Sequence, residues 1–362
     1  MANNDSLHPS AISQMSDCLQ GLRIIDLTRN LPGPFATRLL ADLGAEIIKI
    51  EPKGGDPARA LGGLFDALNH GKTIEKVDFR DDKGIASVKT YLKNADVMLD
   101  SFRPGVLKGM GLDAQTLHAI NPKLVIVSIT GYGMVDDNDV THDWADKAGH
   151  DINFMAMSGV LDQLKTAKGE QAMPNVQFAD LAGGSDTAVI ALLAAVFAAQ
   201  RTGKGRHVAV SMTHSLYNHM IMPKATGTLV KSFSGQNPPP QHDFLGGLLP
   251  CYCLYKTLDN RYMAVGSLEL KFWQGLCEVL ELPELKDAHW QRGVMPNLSA
   301  SKEAAAKVTK RFASQPLTHW QDLFAAADVC VTPVLTLEEA KAHPLFAHQD
   351  NHQATSGWQR VS

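Results

Sequence analysis

GLRIIDLTRNLPGPFATRLLADLGAEIIKIEP, Gly21 to Pro52, decides the fold class. Leu22 to Leu27 is an apolar run of strand length. TRNLPG then punctuates the chain, with Pro32 and Pro34 suited to a helix start. FATRLLADLG places apolar side chains at helical spacing and stops on Gly44, and AEIIKIEP is a second apolar run closed by Pro52. Strand, helix and strand in 32 residues make a βαβ unit, whose crossover joins parallel strands in a right-handed sense. The expected fold is therefore α/β, with a doubly wound parallel sheet. Further strands are expected at ADVMLDSF (Ala95–Phe102) and KLVIVSITG (Lys123–Gly131), each after a helical pattern, and at RHVAVSM (Arg206–Met212).

The pattern changes near Leu216. NPPPQHDFLGGLLP breaks regular structure, and CYCLYKTLDNRYMAVGS reads as two strands around a turn at Leu258 to Arg261, followed by the helix LKFWQGLCEVLEL. The expected organisation is a large domain over residues 1–215, a linker over 216–240 and a smaller α+β domain over 241–322. A closing segment, 323–362, contains DVCVTPVLTLEEAKAHP, a strand and short helix expected to pack back on the large domain.

Composition bounds the function. The 362 residues are 44% hydrophobic and 20% charged, with a formal net charge of −4, which suits a soluble globular protein and gives no case for nucleic-acid binding. The apolar run Thr187 to Ala199, bounded by Asp186 and Gln200, is shorter than the roughly 20 residues that span a bilayer, so a buried helix and no membrane partner are expected. The first 20 residues lack signal-peptide patterning and read as a loose arm. Cys18, Cys251, Cys253, Cys277 and Cys330 are odd in number and lack metal-ligand spacing. A reducing, cytoplasmic setting and no metal are expected. Cys251 and Cys253, two apart, read as packing residues.

Ligands of doubly wound sheets collect at the carboxyl ends of the strands. The loops there offer cations beside glycine or proline: Lys53 and Arg59 in EPKGGDPAR, Lys72 in NHGKT and Arg103 in SFRPG. Such groups suit phosphates, though each could equally be solvated surface charge. NHGKT is not a P-loop, because Asp66 stands at the upstream glycine position and a strand-like TIEKVDF follows. No GxGxxG follows the first strand, which argues against a nicotinamide cofactor. Two acidic positions also stand out. Asp180 in FADLAGG precedes a long apolar helix, and Glu269 stands just before another; either could be a helix-start acid or a chemical group. RTGKG (Arg201–Gly205) reads as a helix end. In AGHDINF (Ala148–Phe154), His150 and Asp151 are a loop and helix start, or chemistry.

LRIIDLTRNLPGPFATRLLADLGAEIIKIEPKGGDPAR, SFRPG, AGHDINF, FADLAGG followed by RTGKG, YMAVGSLELKFW and DVCVTPVL, in this order, resemble the class III CoA-transferase family from about Gly21 to Leu345. The histidine of GHDIN points to its alpha-methylacyl-CoA racemase branch. The resemblance implies a Rossmann-like large domain with a smaller domain, an interlocked homodimer, and an acyl-CoA thioester as substrate, with CoA entering only as part of that substrate. It implies Lys53, Arg59, Lys72 and Arg103 as ligands of the CoA phosphates, and His150 and Asp180 as catalytic bases. Glu269 is implied as the acid that pairs with the histidine, and the N–H of Asp151 as the donor to the enolate oxygen. Chemistry agrees: epimerising carbon 2 of an acyl thioester needs a base on each face of a planar enolate and a donor at its oxygen. A CoA-transferase would instead use Asp180 as a nucleophile, and a CoA-ester binding protein without turnover is the third reading. The chain departs from the racemase pattern before the histidine. Lys147 is the only cation there, Asp136, Asp137, Asp139, Asp143 and Asp146 would repel a phosphate, and Phe154 stands where tyrosine is common.

Overall fold

The structure is a computed structural model that describes residues 15–134, 143–166, 168–296 and 298–346. Its chain divides into two compact units. The first holds the described residues through Leu161, then Pro174–His219 and residues 344–346; the second holds Asp162–Met173 and Met220–His343.

The first unit is built on six parallel strands: β1 (Arg23–Asp26), β2 (Glu46–Pro52), β3 (Thr73–Val77), β4 (Val97–Asp100), β5 (Val125–Thr130) and β6 (Arg206–Ser211). Their order is β3-β2-β1-β4-β5-β6, so the chain works outward from β1 to one edge and returns to fill the other. The crossovers carry α1 (Pro32–Asp42), α2 (Leu64–Asn69), α3 (Asp82–Lys93), α4 (Val106–Gly109) and α5 (Ala114–Ile120). After β5 come α6 (Asp151–Ser158), α7 (Val160–Gln163), a π-helical stretch Ala179–Asp186 and α8 (Thr187–Thr202), and α9 (Met212–His219) follows β6. The sheet is sealed by helices on its faces, which is why β1, β4 and β5 read as continuous apolar runs. Ile25, Ile48, Met98 and Ile126 from four neighbouring strands meet Val88 and Leu92 of α3 in one core.

The helix containing Thr187–Ala199 is longer than the sequence implied. With the π-helical stretch it runs 24 residues, Ala179–Thr202, and is long and apolar enough by composition to cross a membrane. Ala188, Leu192, Ala195 and Ala199 form a buried stripe, and the helix packs on β5, β6 and α1. Its other face is open: Ile190 and Phe197 are 71% and 61% exposed. It is thus half-buried, not buried all round.

The second unit has α10 (Ile221–Ser234), the antiparallel strands β7 (Tyr252–Lys256) and β8 (Tyr262–Gly266), α11 (Leu270–Val279), α12 (Ser299–Phe312), α13 (Leu317–Phe324), β9 (Val331–Pro333) and α14 (Leu337–Ala342). Residues 216–240 are not a bare linker, since they hold half of α9 and all of α10. Nor does the closing segment return to the large domain as a strand: β9 pairs antiparallel with β8, Val265 opposite Val331, and completes a three-stranded sheet. Strand pairing supplies backbone partners that an isolated three-residue strand would lack. Trp273, Phe312 and Trp320, all fully buried, fill the core of this unit.

Candidate active site

Asp26, Asp100 and Thr130 end β1, β4 and β5, and the chain beyond them borders a cleft of about 490 Å³ in the first unit. β1 and β4 are neighbours in the sheet although β2 and β3 lie between them in the chain, and the strand order reverses between them, which makes this the topological switch point. Arg29 and Asn30 follow β1, Ser101 to Arg103 follow β4, and Lys147, His150 and Asp180 complete the polar lining. His150 and Asp180 are therefore brought into one cleft from segments 30 residues apart.

Each is placed by a helix start. His150 is extended and caps α6, its N–H donating to Asn153 Oδ1 at 3.1 Å. Its side chain is exposed to the cleft. Asp180 lies in the π-helical stretch before α8, and Ser185 Oγ of that stretch donates to the carbonyl of Pro32 at the head of α1. π-Helical turns are rare and concentrate at functional sites. Asp151 connects the two. Its Oδ1 accepts from the N–H of Ala179 at 2.7 Å and of Asp180 at 3.0 Å, so one carboxylate clamps the π-helical start against the start of α6. The sequence suggested a helix-start acid and a backbone donor for Asp151; the clamp pairs residues nearly 30 positions apart and left no local signal.

Burial raises the Asp180 carboxyl to about 7, and the neighbouring charge of Asp151 adds to the rise. Asp151 is also raised by desolvation, an effect its two N–H donors oppose. A half-buried carboxyl near 7 exchanges a proton readily at neutral pH.

Phe154 sets the position of His150. It is buried one helical turn on, edge-to-face with Tyr132 at 5.1 Å between centroids. A Cβ on Gly131 would fall 2.3 Å from its ring and one on Gly149 2.6 Å, so only glycine lets the two backbones close over it.

The four expected phosphate cations divide. Arg103 lines the cleft, exposed and without an ion pair to any other described residue. Lys72 does not: its side chain is fully buried, with Nζ donating to the Pro34 carbonyl at 2.8 Å and Asn69 Oδ1 at 3.0 Å and lying 3.4 Å from Asp26 Oδ2. Its environment lowers the ammonium to about 8, chiefly by desolvation. Arg59 makes two bonds to Glu51, at 2.9 and 3.1 Å, and lies over the ring of Phe65. Lys53 is exposed and pairs with Asp78 at 3.0 Å. Neither Arg59 nor Lys53 lines the cleft. Arg29 does, three residues after β1, a cation in the TRNLPG turn that the sequence reading did not count among the phosphate ligands. Lys147 stacks on Trp144 at 4.0 Å, also at the cleft.

Asp143 and Asp146 are exposed, while Asp136, Asp137 and Asp139 lie outside the described residues. Glu269 belongs to the second unit, where it is the N-cap of α11 yet makes no side-chain cap bond, so helix capping does not account for it. Burial pushes the thiols of Cys251 and Cys277 up to about 12, which suits packing rather than nucleophilic roles. Among the described residues no group of three histidines, cysteines or carboxylates could hold a metal.

Residues 19–358 match the CoA-transferase family III. The chain is 33% identical to the alpha-methylacyl-CoA racemase of Mus musculus over 93% of its own length and 82% of the relative's. It is 31% identical to the succinyl-CoA:glutarate CoA-transferase of the same organism, over 92% of this chain and 77% of that one. The crystal structure of a CAIB/BAIF family protein from Brucella suis superposes with a TM-score of 0.74 at 27% identity, covering 91% of this chain and 87% of the other. With a family match over residues 19–358 and relatives of this identity over more than nine-tenths of its length, the chain belongs to the CoA-transferase family III.

Proposed function

We propose that this protein interconverts the two configurations at carbon 2 of 2-methylacyl-CoA thioesters. The observation that carries the reading is the convergence of His150 and Asp180 on one cleft, tied together through Asp151. One of the two bases takes the proton from carbon 2, leaving an enolate, and the other returns a proton to the opposite face. Net charge and atoms are unchanged, and no cofactor is needed beyond the CoA of the substrate. The N–H of Asp151, first residue of α6, has no acceptor within its own helix and is available to the enolate oxygen. Arg103, with Arg29 and Lys147, supplies the charge that receives CoA phosphates. Glu269 acts as the partner of the histidine across a homodimer, for which the open apolar face of α8 is suited.

The family also contains transferases, in which reading Asp180 would attack as a nucleophile; both roles use the anion, and what favours proton exchange is a second base, His150, in the same cleft. The test is mass spectrometry of pure enantiomers of a 2-methylacyl-CoA incubated in D2O. Deuterium at carbon 2 with loss of configuration, needing both His150 and Asp180, is expected. No deuterium, with CoA passing to an added carboxylic acid and hydroxylamine converting an aspartyl-CoA thioester on Asp180 to the hydroxamate with release of CoA, would establish the transferase instead.

A further inference from the structure

Lys49 and Asp56 form an ion pair under the cleft that the proposed reaction does not use. Lys49 lies in the middle of β2 with no exposed surface, Asp56 is 3% exposed, and their Nζ and Oδ2 are 3.1 Å apart. Replacing a buried pair with apolar side chains of similar volume is often neutral or stabilising, so cohesion alone does not explain this one. Its remaining bonds do. Lys49 Nζ donates to the carbonyl of Thr28 at 2.7 Å, and Asp56 Oδ1 accepts from the N–H of Asn30 at 3.1 Å. Those two backbone groups bracket Arg29. The same Oδ1 accepts from the N–H of Ala58 at 3.0 Å, which anchors the carboxylate in its own turn.

The bracket is under strain that it must hold. Asn30 has φ of +66°, the left-handed region that a residue with a Cβ enters at a cost of roughly 1 kcal/mol. Arg29 donates its own N–H to Ser101 Oγ at 3.3 Å, and its guanidinium lies 5.7 Å from the ring centroid of Phe102, so the turn after β1 is also tied to the turn after β4.

We infer that Lys49 and Asp56 are positioning residues: they fix the Thr28 to Asn30 turn so that Arg29 meets an anionic ligand in the cleft. The inference rests on the proposed function for the ligand, a CoA phosphate. The pair touches no ligand itself and acts through the backbone on both sides of one arginine.

The experiment measures CoA binding by calorimetry, with thermal unfolding alongside, for wild type, Arg29→Ala, the double variant Lys49→Met with Asp56→Asn, and all three changes combined. Arg29→Ala is expected to weaken CoA roughly tenfold or more, as for loss of a hydrogen bond to a charged group. The double variant, which removes both charges together, is expected to weaken CoA to a similar degree. Adding it to Arg29→Ala is expected to cost less than twofold more, because both act through one arginine. Penalties that multiply, or a double variant that binds as wild type does, would overturn the positioning role while leaving the CoA reading in place. A wild type that does not bind CoA would overturn both. If the double variant does not fold, Asp56→Asn, which keeps the Oδ1 acceptor, is compared with Asp56→Ala, which does not. Affinity close to wild type for the first and about tenfold weaker for the second supports the inference, and equal affinities overturn it.

Discussion

The carboxylate of Asp151 accepts a hydrogen bond from the backbone N–H of Asp180 at 3.0 Å. Neither residue can move without the other, and His150 precedes Asp151 directly. The two residues proposed as bases are linked through one side chain.

Removing that side chain leaves the N–H groups of Ala179 and Asp180 without their acceptor, at about 1 to 3 kcal/mol for each that stays dry. Asp151→Ala is expected to lower kcat roughly 10- to 100-fold with a smaller effect on KM. Asp151→Asn keeps an acceptor oxygen and should retain most of the rate. Steady-state kinetics on one acyl-CoA checks both.

Protonation of Asp180 gives the wild type a pH limb. The carboxyl is raised to about 7, so its basic form is lost as pH falls through 7. Exchange of the enantiomer whose proton it takes should fall about tenfold per pH unit below that point. Asp151→Asn removes the second cause of the rise, and the limb should move to lower pH while staying above the ordinary carboxylate range, because burial persists. An unmoved limb would show that the charge of Asp151 does not reach Asp180.

Arg103 and Lys72 should separate cleanly. Arg103→Ala removes a cleft cation and is expected to raise KM for the CoA ester roughly tenfold with kcat within about threefold, the mark of uniform binding. Lys72→Met removes a buried partner of Asp26 and should destabilise the fold by about 3 kcal/mol with KM little changed. Kinetics and thermal unfolding on the same two variants decide this.

Asp100 makes stability fall as pH rises. Burial raises its carboxyl to about 6, so the folded chain holds the proton more tightly than the unfolded chain. The stabilisation from that proton is complete below about pH 4 and is lost as pH rises to about 6, on the order of 3 kcal/mol in all. Asp100→Asn offers an acceptor to the Phe102 N–H without ionising. Its Tm should exceed that of wild type at pH 7.5 and match it at pH 4; equal melting at both would falsify the assignment.

The parallel sheet was legible because Gly21–Pro52 carries two apolar runs, a helical period and a glycine stop in one short span. His150, Asp180 and Arg103, which the structure brings to one cleft, stood out in the sequence because a motif surrounds each. Lys72 was misread for a physical reason: a lysine after Gly71 looks the same in sequence whether its ammonium meets a phosphate or a buried aspartate. Arg29 left no separate signal because its turn reads simply as the start of α1, and only the adjacency of β1 and β4 at the switch point brings it to the cleft. The clamp of Asp151 on Ala179 and Asp180, and the pairing of β9 with β8, depend on contacts between distant segments that no local pattern encodes.

Phe154 bears on how such a site can diverge. Its ring occupies the space that any side chain at Gly131 or Gly149 would claim. A lone substitution at either glycine collides with the ring, and a lone reduction of the ring opens a void beneath His150. Mutational routes that reshape this corner must therefore change ring and glycine together. Few single nucleotide changes reach viable neighbours, so variation in acyl preference is expected to accumulate on other walls of the cleft and leave the perch of the histidine unaltered.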